Sequence, residues 1–446
     1  MNVNNRRLLF IAYYFPPLGG IASMRSANNV KYLSQMGFDV QVLTVNTRFI
    51  RHPKDKALLN DIPKSVKVFR SFCPDAGWLF KLLWGLKLGS VVKFLQQRVL
   101  IPDAEVLWRP FAKRKLNYIL KNVITFDAAV ISSGPPSSLS LGLYLKSRYK
   151  IPFICDFRDE WTNNPERINV NFPAATQARE LVMESRILSA AAGVAYLTDI
   201  MKDNFIGHYH FLANKPSAII PNGFDEDDFA GLQASNHRDA FHLVYCGSFY
   251  DRRQPDPLWK AIVGLFDGGQ LQPDKIVVDI IGRNTPAFVL GKYANDERIK
   301  RIVKFHGFMS HSASLLEMMK ADSLLLYIPS GKNAESVLTG KIFDYIRSGK
   351  PVLAVVPPTG LAASIVREAR TGYIADYSDI PGIASRLMEL YRLWKNRALN
   401  QTQPDWDYIN SFSRRELANR LAGLINEALA GRDGKVNNIT STGSGS

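Results

Sequence analysis

Short apolar runs closed by Gly, Pro, Ser or Asp recur along the chain, each followed by a segment with apolar residues at helical spacing. This alternation is the pattern of βαβ units, whose strands are covered on both faces and so read as continuous apolar stretches. In the first half it predicts strands at Leu8–Phe15, Val40–Thr44, Ala128–Ser132, Phe153–Asp156, Gly193–Leu197 and Ala218–Ile220. The second half restarts with Leu243–Cys246, Val277–Ile281, Ile302–Phe305, Ser323–Tyr327 and Val352–Val355. Two successive doubly wound α/β domains follow from this, and ligands of such sheets bind at the carboxyl ends of their strands. The turn-rich segment Pro221 to Asp239 is the expected connection. The expected division is 1–220, a linker at 221–239, 240–404, and a helical segment within 405–430, centred on Arg414 to Leu429, that could join either domain. Residues 431–446 are polar and close in Gly/Ser alternation, as a flexible tail does.

A length of 446 residues supports two cores, since single domains mostly stop growing near about 250 residues. Hydrophobic content of 46% and charged content of 22% are those of a globular protein. The cysteines Cys73, Cys155 and Cys246 occur singly, which argues against a disulfide framework or a metal knuckle and suits a reducing, cytoplasmic compartment. Pro16-Pro17 interrupts the apolar start, so Leu8–Phe15 reads as a strand rather than a leader. The longest uncharged run, Ala128 to Leu145, contains a Ser/Gly/Pro cluster that would break a membrane span. A formal charge of +16 implies an anionic partner, and nucleic acid, acidic phospholipid and phosphorylated substrates all qualify. No recognisable nucleic-acid module accompanies that charge, so nucleic acid is not the expected partner. No His, Cys, Asp or Glu spacing suggests a metal, and no cofactor is expected.

The richest chemistry lies between Glu335 and Pro351, after one strand and before the next. Thr339 or Gly340 can open a helix whose free N–H groups and dipole suit a diphosphate. Lys341 and Asp344, three apart, share a face of it. The cation could neutralise phosphate while the acid accepts ribose hydroxyls; a surface Lys/Asp pair on an amphipathic helix is the plainer alternative.

The segment resembles the donor-binding signature of family-4 retaining glycosyltransferases of the GT-B fold, in the variant Lys-x-Phe-Glu/Asp-Tyr followed by Gly-x-Pro. Here those positions are Lys341, Phe343, Asp344, Tyr345, Gly349 and Pro351. The resemblance implies that two Rossmann-like domains face each other across a cleft, with the acceptor on the first and a nucleotide-sugar on the second. It makes Asp344 the ribose ligand. It places the acid that contacts the donor sugar eight residues earlier, at Ser336, with Glu335 adjacent.

Other stretches match the same family in order from Leu8 to about Leu429. After Tyr245-Cys246-Gly247, Ser248 stands where many relatives have Arg, and the subgroup with a later Arg-x-Pro makes Arg253 the diphosphate cation, with Arg252 beside it. A solvated basic loop is the alternative. Gly282-Arg283-Asn284 and His306-Gly307-Phe308 resemble loops around the nucleotide base, although a turn glycine and a satisfied structural histidine would look alike. Gly19 and Gly20 resemble the loop by the donor phosphates and acceptor. Asp156-Phe157-Arg158-Asp159-Glu160-Trp161 matches an Asp-Phe-Arg-Asp-x-Trp motif, so Asp156, Arg158 and Asp159 are acceptor-side candidates; an Arg158 carboxylate pair holding the loop is equally open. Relatives often carry a histidine where this chain has Ser137, so no catalytic histidine is nominated.

From Trp78 to Lys121, aromatic and leucine residues mix with lysine and arginine. That is the composition of interfacial helices on an anionic membrane, or of helices packed on the domain with snorkelling lysines. The expected activity is glycosyl transfer from a UDP- or GDP-linked sugar to a glycan or lipid-linked glycan, with retention and without metal, Arg253, Lys341 and Glu335 being the catalytic candidates. An epimerase of the same fold and a non-catalytic glycan-binding homologue are the alternatives. The expected location is the cytoplasm, peripheral to the inner face of the plasma membrane; the oligomeric state is left open.

Overall fold

The computed structural model describes residues 6–164, 172–232, 238–249, 254–329, 331 and 334–440. The chain divides into two compact units, Met1–Asn222 with Arg414–Ser446, and Gly223–Ser413.

The first unit carries a seven-stranded sheet in the order β3-β2-β1-β4-β5-β6-β7. Its strands are β1 (Arg7–Ile11), β2 (Asp39–Val45), β3 (Lys67–Ser71), β4 (Ala128–Ser132), β5 (Phe153–Asp156), β6 (Gly193–Tyr196) and β7 (Ser217–Ile219). Every pairing is parallel. The central strands are apolar along most of their length, with polar residues only at their ends (Arg7, Ser132, Asp156), because helices cover both faces, as a parallel sheet requires. Leu9, Ile11, Ile131 and Phe153 look into one core; Leu8, Phe10, Val130 and Ile154 look into the other. The helix Arg414–Thr440 packs Leu417, Leu421, Leu424 and Ile425 into that second core, so the chain's last long helix belongs with the first sheet. It runs past Gly431, where the composition suggests a tail.

The second unit carries a six-stranded parallel sheet, β10-β9-β8-β11-β12-β13. These strands are β8 (Phe241–Cys246), β9 (Ile276–Ile281), β10 (Val303–Gly307), β11 (Ser323–Tyr327), β12 (Val352–Val355) and β13 (Gly372–Ala375). The amphipathic helix Asp256–Asp267 lays Leu258, Trp259, Ile262 and Leu265 on one face. The helix Lys341–Arg347 lays Ile342, Phe343 and Ile346 on the other.

The strands β3 and β13 are absent from the sequence-based list, and both lie at sheet edges. With one neighbour instead of two they need no continuous apolar run: Lys67–Ser71 alternates and Gly372–Ala375 is mostly half-buried.

Candidate functional site

In the second sheet the strand order reverses between β8 and β11, the place where open α/β sheets bind ligands. Those two strands pair only through Ser323 with Leu243 and Leu324 with Val244, and separate toward their carboxyl ends. The N–H of Cys246, beyond the last pair, donates instead to the Tyr345 hydroxyl at 2.9 Å. Tyr345 is fully buried. Lys341 stands four residues earlier on the same helical face. The tyrosine therefore docks the helix on the end of β8 and carries the lysine to the next residue, Gly247. A Cβ at Gly247 would overlap the Lys341 ammonium, so glycine is what admits the cation there. The ammonium also lies 5.3 Å from the Tyr245 ring centre.

The neighbouring loops are tied to this point. The Gly247 N–H donates to Ile281 O at 2.7 Å, and the Gly282 N–H to Gly307 O at 2.7 Å. Asn284 clamps the turn from both sides, its Nδ2 donating to Gly247 O and its Oδ1 accepting from the Phe249 N–H, each at 2.7 Å. Gly282 has φ 138°, and a Cβ there would strike the Gly247 carbonyl, so two glycine backbones meet beneath the cation. Ser248 follows on the same turn, its carbonyl 3.4 Å from the Tyr245 hydroxyl. Arg252 and Arg253 lie outside the described residues.

Asp344 shares the helix and acts on the end of β8: burial pushes the Cys246 thiol up to about 12, Lys341 pulls it down, and Asp344 raises it. Cys246 is thus a protonated packing thiol. Gly340 precedes the helix without a side-chain cap, and the helix spans seven residues. The Thr339 hydroxyl is buried without a hydrogen-bond partner. Glu335 and Ser336 are exposed on the preceding short turn, and Glu335 Oε1 accepts from Thr359 Oγ1 at 2.9 Å.

His306 has the geometry of a satisfied structural histidine. Its Nε2 is 2.7 Å from Asp279 Oδ1, while His242 Nδ1 is 2.7 Å from Asp279 Oδ2. Burial raises the Asp279 carboxyl, but the two imidazoles outweigh it and hold the group below its ordinary pKa. Arg283 instead covers the exposed Phe308 ring, 5.0 Å from its centre.

In the first unit, Asp156 ends β5 in a buried ion pair with Arg25, at 2.6 Å and 3.3 Å. Arg25 also donates to Pro221 O at 2.8 Å. Its partner from the first helix, rather than Arg158, neutralises Asp156. The Arg158 guanidinium occupies the space where Gly134 lacks a Cβ, and its Nε is buried without a partner. Burial lowers its pKa. Asp159 is exposed. Gly20 takes φ 94° just before the helix Ile21–Gln35, and His52 Nε2 lies 3.0 Å from Gly19 O. Glu105, on the turn Ala104–Trp108, is pushed up to about 7 by burial and then by Asp103.

Tyr345, Gly247 and Asn284 all stood within recognised motifs, Gly247 as a donor-binding candidate and Asn284 in a loop expected near the base, but the hydrogen bonds that give Tyr345 and Asn284 their mechanical roles carry no sequence signal. Arg25, His52 and Glu105 carry no motif; long-range packing alone brings them to the strand ends.

The two parallel sheets, each with helices on both faces, define an α/β protein of two Rossmann-like units. No family model and no curated protein matches the sequence. Solved structures do. A sucrose-phosphate synthase from Thermosynechococcus elongatus aligns with TM-score 0.55 and 15% identity over 96% of this chain and 100% of its own. A glycosyltransferase from Rickettsia africae gives 0.57 and 13% over 96% and 99%. WaaG, a glycosyltransferase involved in lipopolysaccharide biosynthesis, gives 0.55 and 15% over 92% and 98%. The likeness establishes the GT-B fold.

Proposed function

We propose that the chain is a retaining, metal-independent glycosyltransferase that moves a sugar from a UDP- or GDP-linked donor to a hydroxyl of a glycan or lipid-linked glycan in cell-surface polysaccharide synthesis. The observation that carries the reading is the Lys341 ammonium held against Gly247 at the strand reversal, where Tyr345 fixes it from within the core. As the bond to the anomeric carbon breaks, negative charge grows on the departing diphosphate, and a cation already in place stabilises it without reorganising. Bare glycine backbone at Gly247 and Gly282 lets phosphate oxygens approach closely. Arg253 supplies a second cation, and side-chain cations take the place a metal would fill. Asp344 accepts the ribose hydroxyls, and Arg283 with Phe308 offers a flat face to the base.

Support for this chemistry comes from the GT-B neighbours, which include WaaG and a TarM variant solved with UDP. Retention and the sugar-contacting position Glu335/Ser336 rest on the motif resemblance. The acceptor side is the first unit, around Gly19, Gly20, Arg158 and Asp159, with Asp156 holding the strand end. The working location is the cytoplasmic face of a membrane, as a peripheral protein.

Calorimetry against UDP-, GDP-, ADP- and TDP-sugars tests the proposal. One donor class binds, and Lys341→Ala abolishes most of that binding. If no nucleotide-sugar binds, the proposal fails; if one binds and is isomerised without an acceptor, the reaction is epimerisation instead.

A further inference from the structure

The helices Ala76–Gly85 and Gly89–Phe94 turn their apolar side chains outward. Trp78 is 60% exposed, Trp84 64%, Leu86 61% and Phe94 55%, and Leu79, Leu82 and Leu88 accompany them. Burial of side chains this large is what ordinarily holds a helix to its domain, so this face requires a partner. Its charge identifies one. From Ala76 to Pro102 the chain has Lys81, Lys87, Lys93 and Arg98 and no aspartate or glutamate. A second copy docked by a two-fold axis would set these cations against each other. An anionic bilayer neutralises them and takes up the aromatic rings. No helix among the described residues is long and apolar enough to cross a membrane, and a ten-residue helix fits the interface plane.

The same face contains an open hollow of about 380 Å³ bounded by Arg51, Trp78, Lys81, Leu82, Gly85 and Leu86. Two cations stand beside an apolar floor. We propose that this face inserts into an anionic phospholipid surface and that the hollow seats one lipid, its phosphate between Arg51 and Lys81 and its upper acyl chain on Leu82 and Leu86. The proposal gives the peripheral placement suggested above a defined surface and a lipid class. It does not require the transfer reaction.

Co-sedimentation of the full chain with phosphatidylcholine vesicles, with and without phosphatidylglycerol, provides the test, alongside tryptophan quenching by brominated acyl chains. Binding is expected only with phosphatidylglycerol, with quenching that falls in Trp84→Phe. Lys81→Ala and Arg51→Ala should each weaken it about fivefold. Trp84→Ser should reduce binding without changing nucleotide-sugar calorimetry, which also reports folding. Gly85→Leu has open space for its side chain and fills the hollow. It should remove the preference for phosphatidylglycerol, and an unchanged preference overturns the lipid seat. Equal binding to neutral vesicles, absence of quenching, or a dimer in light scattering that fails to bind vesicles overturns the surface assignment. Lost vesicle binding with intact donor binding leaves the transferase reading standing.

Discussion

Replacing Tyr345 by phenylalanine isolates the hydrogen bond that docks the helix Lys341–Arg347 on β8. The ring volume is kept, so no large cavity complicates the result. What is lost is the acceptor for the Cys246 N–H, which lies beyond the last β8–β11 pair and has its partner at 2.9 Å in Tyr345. A buried N–H left unsatisfied costs about 1–3 kcal/mol. In a domain of this size each kcal/mol lowers Tm by about 2–4 °C. The helix then loses its registration against Gly247, and the Lys341 ammonium loses its fixed position. Urea unfolding should show the stability loss, and calorimetry with the preferred nucleotide-sugar should show a weaker complex. A variant within about 0.5 kcal/mol of the parent that binds donor unchanged would refute the docking argument.

Gly247→Ala places a methyl where the ammonium lies. Donor affinity should fall about tenfold or more, the size of a lost charged hydrogen bond, while circular dichroism stays native; undiminished affinity would show that the cation does not act there. Arg25→Leu leaves the Asp156 carboxylate buried and unpaired and should destabilise by about 3–5 kcal/mol, whereas adding Asp156→Leu should restore much of the loss; chemical denaturation of the three variants decides this. Glu105 titrates near 7 in the fold against an ordinary value of 4.5, so the folded state holds its proton after the unfolded state has released it. Its contribution is nil below about pH 4.5, turns unfavourable as pH rises, and reaches on the order of 3 kcal/mol above 7. Glu105→Gln should therefore stabilise the protein at pH 8 and not at pH 4, and an identical pH slope in the two proteins would contradict it.

The sequence by itself determined both α/β repeats, because strands covered on two faces must be apolar along their length: Ala128–Ser132, Phe153–Asp156, Ser323–Tyr327 and Val352–Val355 coincide with β4, β5, β11 and β12. The motif resemblance singled out Lys341 and Gly247 as candidates in two separate segments, and the fold brings the two together. The edge strands β3 and β13 escaped the sequence reading because a single neighbour leaves alternation in place of an apolar run. Tertiary structure alone decided that Tyr345 completes the ladder where β8 and β11 part, that Arg25 rather than Arg158 pairs with Asp156, that His306 is bound to Asp279, and that the helix Arg414–Thr440 packs on the first sheet. Each joins residues tens to hundreds of positions apart. Hydrogen-bond and ion-pair partners at that separation are chosen by which strand ends the sheet order brings together, and spacing along the chain does not encode that order.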